Sequence, residues 1–219
     1  MNSEITIAIC VRNGRRYIAE AIASARNQSH KPCQVLIIDD GSTDGTAIIA
    51  EQLGCTVEIQ EQLGLGAARN NAFIKAKGDY VFFLDADDLM LDNTLSELLS
   101  VLEVSTDAVG AIGFRKNFIS PELLSTILNI KERFFERELG SLPSGSLWRK
   151  ELHAKLKFNE KSNAADVEWI LDFQDLKLVW ASTEATVLLR RIHQDNMSTR
   201  QDVLQDYLSL AIKRIEKRA

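Results

Sequence analysis

Between Ile5 and Leu84 the chain switches repeatedly between short apolar runs and helical spacing, and this alternation constrains its fold more than any other feature. Ile5 to Val11, Gln34 to Ile38, Cys55 to Ile59 and Asp79 to Leu84 read as strands. Between the first two, Arg15 to Gln28 sets Ile18, Ala21, Ile22 and Ala25 on one helical face; helical stretches also run up to about Leu53 and from Leu65 to Ala76. The order βαβαβαβ predicts an α/β fold: a mostly parallel sheet with helices on both faces, joined by right-handed crossovers. Such a sheet presents ligands at the carboxyl ends of its strands, so the residues after each run deserve the closest reading.

At 219 residues the chain suits one compact domain. Its 45% hydrophobic and 26% charged content is that of an ordinary globular protein, and a net charge of −5 is no footprint for nucleic acid. Lys213, Arg214, Lys217 and Arg218 gather at the end, where Glu216 interrupts them; they read as a solvated helix face, with membrane-surface contact as the other option. Cys10, Cys33 and Cys55 form no C-x-x-C pair and read as small core residues of a protein from a reducing compartment. With no basic leader and no run long enough to span a bilayer, the expectation is a cytoplasmic protein.

Further along, Leu91 to Val104 reads as a helix and Val109 to Phe114 as an apolar segment. Glu122 to Leu139 has helical spacing with mixed chemistry and is expected to form a surface helix. Another helix is expected over Asp166 to Leu176, then short strands at Leu178 to Ala181 and Ala185 to Leu189. From Gln201 an amphipathic helix carries Val203, Leu204, Tyr207, Leu208, Ala211, Ile212 and Ile215 on a stripe that would pack on the core or on a second subunit, giving a homodimer.

Chemistry concentrates at the strand ends. The run ending at Leu84 empties into Asp85-Ala86-Asp87-Asp88. Carboxylates two apart in extended chain point the same way, so Asp85 and Asp87 could hold Mg2+ or Mn2+ against a diphosphate; a solvated acidic turn is the plainer alternative. Asp39 and Asp40 close another strand, where a carboxylate can accept a pyrimidine ring N–H or a ribose hydroxyl, and Gly41 lets backbone approach a ligand. Gly64-Leu-Gly-Ala-Ala-Arg69-Asn70 resembles a dinucleotide fingerprint, but it follows the third strand rather than the first and ends in Arg69, a cation suited to phosphate or a nucleobase.

Taken in order, Asp40-Gly-Ser-Thr-Asp-Gly-Thr46, Gly64-x-Gly-x-Ala-Arg-Asn70 with Ala72, Ala76-x-Gly-Asp-Tyr80 and Leu84-Asp-Ala-Asp-Asp88 resemble the signature of family 2 glycosyltransferases of the GT-A fold over roughly residues 4 to 90. Ala165-Asp166-Val-Glu168-Trp169 resembles the region of that family's catalytic base, and Arg191-Ile-His193-Gln-Asp-Asn196-Met-Ser198 its C-terminal loop. The chain departs from the family at Cys10-Val-Arg-Asn13, where Pro-Thr-Tyr-Asn is usual, and at Ala165, where an acid is common.

The resemblance implies a single GT-A domain: residues 1 to 105 holding the nucleotide sugar, 106 to 200 facing the acceptor, and a C-terminal helix over 201 to 219. It implies a metal-dependent, inverting hexosyltransferase-type enzyme using a nucleotide-diphosphate sugar, with uridine diphosphate expected, and an acceptor the sequence does not identify. Asp166 would be the base, with Glu168 as its rival, since residues two apart on a helix face different ways. Asp166 could equally serve the helix N-terminus, in a capping box with Asn163. Asn13, Asp39, Asp40, Arg69, Asp85, Glu168 and Trp169 would line the substrate site, and Asp85, Asp87 and His193 would hold Mn2+ or Mg2+. The competing class is a degenerate module that binds a sugar nucleotide without turning it over.

Overall fold

The computed structural model describes residues 3–123, 132–140, 143–194 and 196. Its first half follows the apolar runs closely: β1 (Ile5–Val11), α1 (Ile18–Arg26), β2 (Gln34–Asp39), α2 (Thr46–Gln52), β3 (Thr56–Ile59), α3 (Leu65–Lys75) and β4 (Tyr80–Phe83). Then come β5 (Leu89–Met90), α4 (Thr94–Val104), β6 (Gly110–Ile119), β7 (Glu138–Leu139), β8 (Ser146–Arg149), α5 (Ala165–Asp175) and β9 (Trp180–Ile192). The strands form one mixed sheet in the order β3-β2-β1-β4-β8-β6-β9-β5, with β7 paired to β6. β1 to β4 run parallel, whereas β8 lies antiparallel to both β4 and β6.

Period-two alternation divides the strand side chains between two cores. Ile5, Ile7, Ile9 and Phe82 face α1 and α4, whose Ile18, Ala21, Ile22, Leu95, Leu98 and Leu102 are buried against them. Ala8, Leu36, Ile38, Val81 and Phe83 face α3 and α5, which contribute Ala72, Phe73, Trp169 and Phe173. Helices thus cover both faces. Each fully buried Leu or Ile contributes about 1.5–3 kcal/mol relative to exposure, so this double burial fixes strand register and hence the positions of the strand ends.

Three expectations need correction. Glu122 to Leu139 is no continuous helix: Pro121–Leu123 and Glu132–Phe135 are 3-10 turns and Glu138–Leu139 is a strand. The two short strands after α5 are one, because β9 continues through exposed Ser182 and Glu184 while pairing along β6. Cys33 is exposed rather than a core residue, and all three thiols are free. The helix expected from Gln201 lies outside the described residues. Among the described residues no helix is long and apolar enough to cross a membrane.

Candidate active site

The carboxyl ends of β1, β2 and β4 lie side by side, with β1 between the other two. Asn13 follows β1 in a left-handed conformation, φ 55°, and its Oδ1 accepts the Thr43 amide at 2.9 Å. Asp44 accepts from the Arg15 amide at 3.0 Å and from the Thr46 amide and hydroxyl, so the loops after β1 and β2 are stitched together. Burial pushes the Asp44 carboxyl up, but those hydrogen bonds outweigh it and hold the group below the usual carboxylate range. Asp40 is committed to the fold: its oxygens accept from Gln60 Nε2 at 2.8 Å, Leu63 N at 2.8 Å and Gly64 N at 3.0 Å. Asp39 is different. It is 1% exposed, its Oδ1 accepts the Ser42 amide at 2.6 Å, and its Oδ2 has no partner among the described residues. An orphaned buried acceptor is costly, and at a strand end it suits a ligand's N–H.

Arg69 is not a surface cation. It is 2% exposed, its guanidinium lies over the Phe83 ring at 5.7 Å and the Phe158 ring at 5.6 Å, and it binds Asp166 Oδ1 and, at 3.4 Å, Asp85 Oδ1. One buried cation thereby joins the acidic loop after β4 to the first turn of α5. The approach depends on Gly66, one turn earlier on α3, where a Cβ would sit 2.6 Å from the Asn159 carbonyl oxygen.

On α5 the two candidate bases part as helical geometry requires. Asp166 turns to Arg69; Glu168 accepts from Asn159 Nδ2 at 2.7 Å. Asn163 caps nothing, since the helix begins after Ala164 with no side-chain cap. Trp169 is 0% exposed, stacked on Phe158 at 5.2 Å and set edge-on to Trp148. It belongs to the core and cannot line the substrate site; its face is shared with Ala165 and Phe173, at the i, i+4, i+8 spacing of a buried stripe.

In the acidic loop Asp85 and Asp87 diverge. Asp85 keeps 44% side-chain exposure and faces Arg69. Its remaining, buried part still loses water: that desolvation pushes the carboxyl up, Arg69 pulls it down, and the neighbouring Asp87 charge adds to the rise. Asp87 Oδ2 meets His193 Nε2 at 2.8 Å and Asn196 Nδ2 at 3.3 Å. Asp88 is buried and accepts the Arg191 amide at 2.8 Å; burial, then Asp85 and Asp87, raise it well above the usual range. Burial pushes the Cys10 thiol, beside Arg69, up to about 12, so it is no nucleophile.

Among the described residues no group of three or more His, Cys, Asp or Glu side chains is gathered in a metal-holding cluster. Two of the three expected ligands, Asp87 and His193, are together, and Asp85 is turned to Arg69. Asp87 Oδ2 and His193 Nε2 meet at hydrogen-bond distance, so a cation bound there would replace that bond; the two groups are nonetheless donors of a kind that binds divalent cations. Carboxylate oxygen with imidazole nitrogen suits Mn2+.

Sequence reading named Arg191 and Asn196 only within the stretch that resembles the family's C-terminal loop, without a role for either, and missed Tyr17. Arg191 is 3% exposed, donates from Nε to the Asp87 carbonyl at 2.8 Å and pairs with Glu20 at 2.8 Å. Its guanidinium is sandwiched between the Tyr17 and Phe118 rings at 4.7 and 4.6 Å.

The chain is similar to known proteins in both sequence and fold. It is 35% identical over 115 residues to the uncharacterized glycosyltransferase alr2836 of Nostoc sp., covering 50% of this chain and 35% of that protein. It is 33% identical over 101 residues to the cholesterol galactosyltransferase of Borreliella burgdorferi, covering 44% of this chain and 28% of that protein. The chain thus spans about a third of the length of these curated relatives. Among solved structures, S. aureus TarS 1-349 in complex with UDP-GlcNAc superposes with a TM-score of 0.65 at 19% identity, covering 93% of this chain and 64% of that one. The mannosyltransferase PcManGT from Pyrobaculum calidifontis, in complex with GDP-Man and Mn2+, gives 0.66 at 19% identity, covering 97% and 65%. At such identities these structures establish the fold, which is GT-A. The sequence model of Glycosyl transferase family 2 matches residues 6–164, well over half of the chain, and with the ordered motifs and the strand-end carboxylates this makes the protein a member of glycosyltransferase family 2.

Proposed function

We propose that the protein is a metal-dependent, inverting glycosyltransferase that moves a sugar from a uridine-diphosphate sugar to an acceptor hydroxyl. The observation that carries this reading is the pairing of both Asp85 and Asp166 with the buried guanidinium of Arg69, which brings the candidate base within one side chain of the acidic loop. Asp166 takes the acceptor proton as that oxygen attacks the anomeric carbon opposite the leaving diphosphate, and one displacement inverts the centre. Asp85, Asp87 and His193 would hold Mn2+ or Mg2+, which when bound supplies Lewis-acid stabilisation to the departing diphosphate. Neighbours of the same fold carry UDP-GlcNAc, or GDP-Man with Mn2+, in keeping with that assignment. Asp39 Oδ2, without a partner among the described residues, accepts the uracil ring N–H; cytosine has no proton on the corresponding nitrogen. Asn13 and Asp40 shape the nucleotide-side loops without spending free oxygens on the ligand.

Two variants test the reading. Asp166→Asn should bind the donor normally and lose on the order of 10²- to 10⁴-fold in transfer, or in donor hydrolysis where no acceptor is supplied, while Glu168→Gln keeps most activity. A dead Glu168→Gln with an active Asp166→Asn would move the base to Glu168. A specific observation favours a second reading, the binding module: Asp166 is already ion-paired, and a carboxylate shared with Arg69 is a weaker proton acceptor. Donor binding without any turnover by the unaltered protein would decide for that reading.

A further inference from the structure

The end of β9 is fastened to the acidic loop by contacts that converge on Arg191. Its amide donates to Asp88 Oδ1 at 2.8 Å and its Nε to the Asp87 carbonyl at 2.8 Å. Its own carbonyl accepts Asn196 Nδ2 at 3.1 Å, and Asn196 in turn accepts the His193 amide at 2.7 Å and reaches Asp87 Oδ2 at 3.3 Å. Tyr17 completes the arrangement: its ring lies 4.8 Å from the His193 imidazole and 4.7 Å from the Arg191 guanidinium, and its hydroxyl donates to Glu122 at 2.7 Å. The Asp87 carboxylate and the His193 imidazole come from segments over 100 positions apart; Arg191 bonds the Asp87 carbonyl directly and is linked to the His193 amide through Asn196.

Building on the proposed cation site, we propose that Arg191 is a positioning residue for it: clamped between Tyr17 and Phe118 and tied to the Asp87 backbone, it fixes the separation of Asp87 and His193 and thereby the affinity and selectivity for a divalent cation. The chemistry requires arginine. A planar guanidinium can stack between two rings while donating in its plane to a carbonyl on one side and to Glu20 on the other; an ammonium has neither the plane nor the fork. Mg2+ demands near-ideal octahedral geometry, so loosened ligands should weaken Mg2+ more than Mn2+.

The test measures Mn2+ and Mg2+ binding by calorimetry in the presence of uridine diphosphate, alongside the metal-free affinity for the nucleotide. Residues that hold ligands from behind typically govern about 10- to 100-fold in metal affinity. Arg191→Met should weaken Mn2+ by about tenfold or more, and Mg2+ by a larger factor, with metal-free nucleotide binding unchanged; Arg191→Lys should recover little of the loss. Should Arg191→Met not fold, Tyr17→Leu and Glu20→Gln report on the same clamp from its exposed and aromatic sides, with several-fold losses expected. Tyr17→Phe, which keeps the ring, should retain metal affinity. Lowered thermal stability with unchanged Mn2+ and Mg2+ affinities would make Arg191 a purely structural residue and overturn the inference alone. If the unaltered protein shows no metal-linked nucleotide binding, the cation site itself is wrong and the inference falls with it.

Discussion

The loops after β2 and β4 are both rich in aspartate and flank the same strand, yet their charges are answered in opposite ways. After β2, Asp40 and Asp44 are satisfied almost entirely by neutral amides and side chains of adjacent loops, and Asp44 is held below the usual carboxylate range. After β4, burial first and the like charges of the loop second raise Asp85 and Asp88, although Arg69 and Arg191 stand nearby. The first loop is closed on itself, with one Asp39 oxygen left without a partner among the described residues. In the second, burial and like charge outweigh the cations beside it.

The comparison is broken most severely at Arg69. In Arg69→Met the Asp85 and Asp166 carboxylates lose their shared cation, and urea unfolding should show a loss of about 3 kcal/mol, the low end for breaking a buried pair because both carboxylates are partly exposed. An unchanged midpoint would mean that solvent already balances the second loop. Next, Asp87→Ala should abolish the Mn2+-dependent part of nucleotide affinity, about a hundredfold, and calorimetry showing the same metal dependence would remove the contrast between the loops. In the first loop, Asp39→Asn should erase about a tenfold preference for uridine over cytidine diphosphate, with the fold intact; equal affinities already in the unaltered protein would take the nucleobase out of the Asp39 slot. The smallest effect concerns pH. Because the folded-state value of Asp44 lies below its unfolded one, its contribution is present above the unfolded carboxylate range and is lost as pH falls through the folded value. Thermal melts of Asp44→Asn should therefore show a shallower acid-side decline than the unaltered protein, and parallel curves would argue against the loop bonds as the cause.

The sequence made β1, β2 and β4 legible almost to the residue because parallel strands buried on both faces are contiguous apolar runs. β6 and β9 were harder to read. β6 carries Arg115, Lys116 and Asn117 within its length, its pairing with β9 shifts register around Phe114, and β9 passes through Ser182 and Glu184, so hydrophobicity breaks where the backbone does not. At the site, residue types at strand ends pointed to Asp39, Asp85 and Asp87, and the family resemblance pointed to Asp166, but pairings across the fold were invisible. Nothing local to Arg191 tells of Asp87, and only its place at the head of the stretch that resembles the family's C-terminal loop hinted at a role. Trp169 was readable as core from the stripe it shares with Ala165 and Phe173; its neighbourhood to Asp166 outweighed that signal.

The contact at Gly66 limits how this protein can vary. Any side chain there must displace the backbone around Asn159, the residue that also holds Glu168, and so part α3 from the start of α5. A library randomised at the substrate-facing residues can explore many solutions, whereas one randomised at position 66 has almost nowhere to go. New specificities are therefore best sought with this glycine left fixed, because it sets how near α3 and the start of α5 can stand.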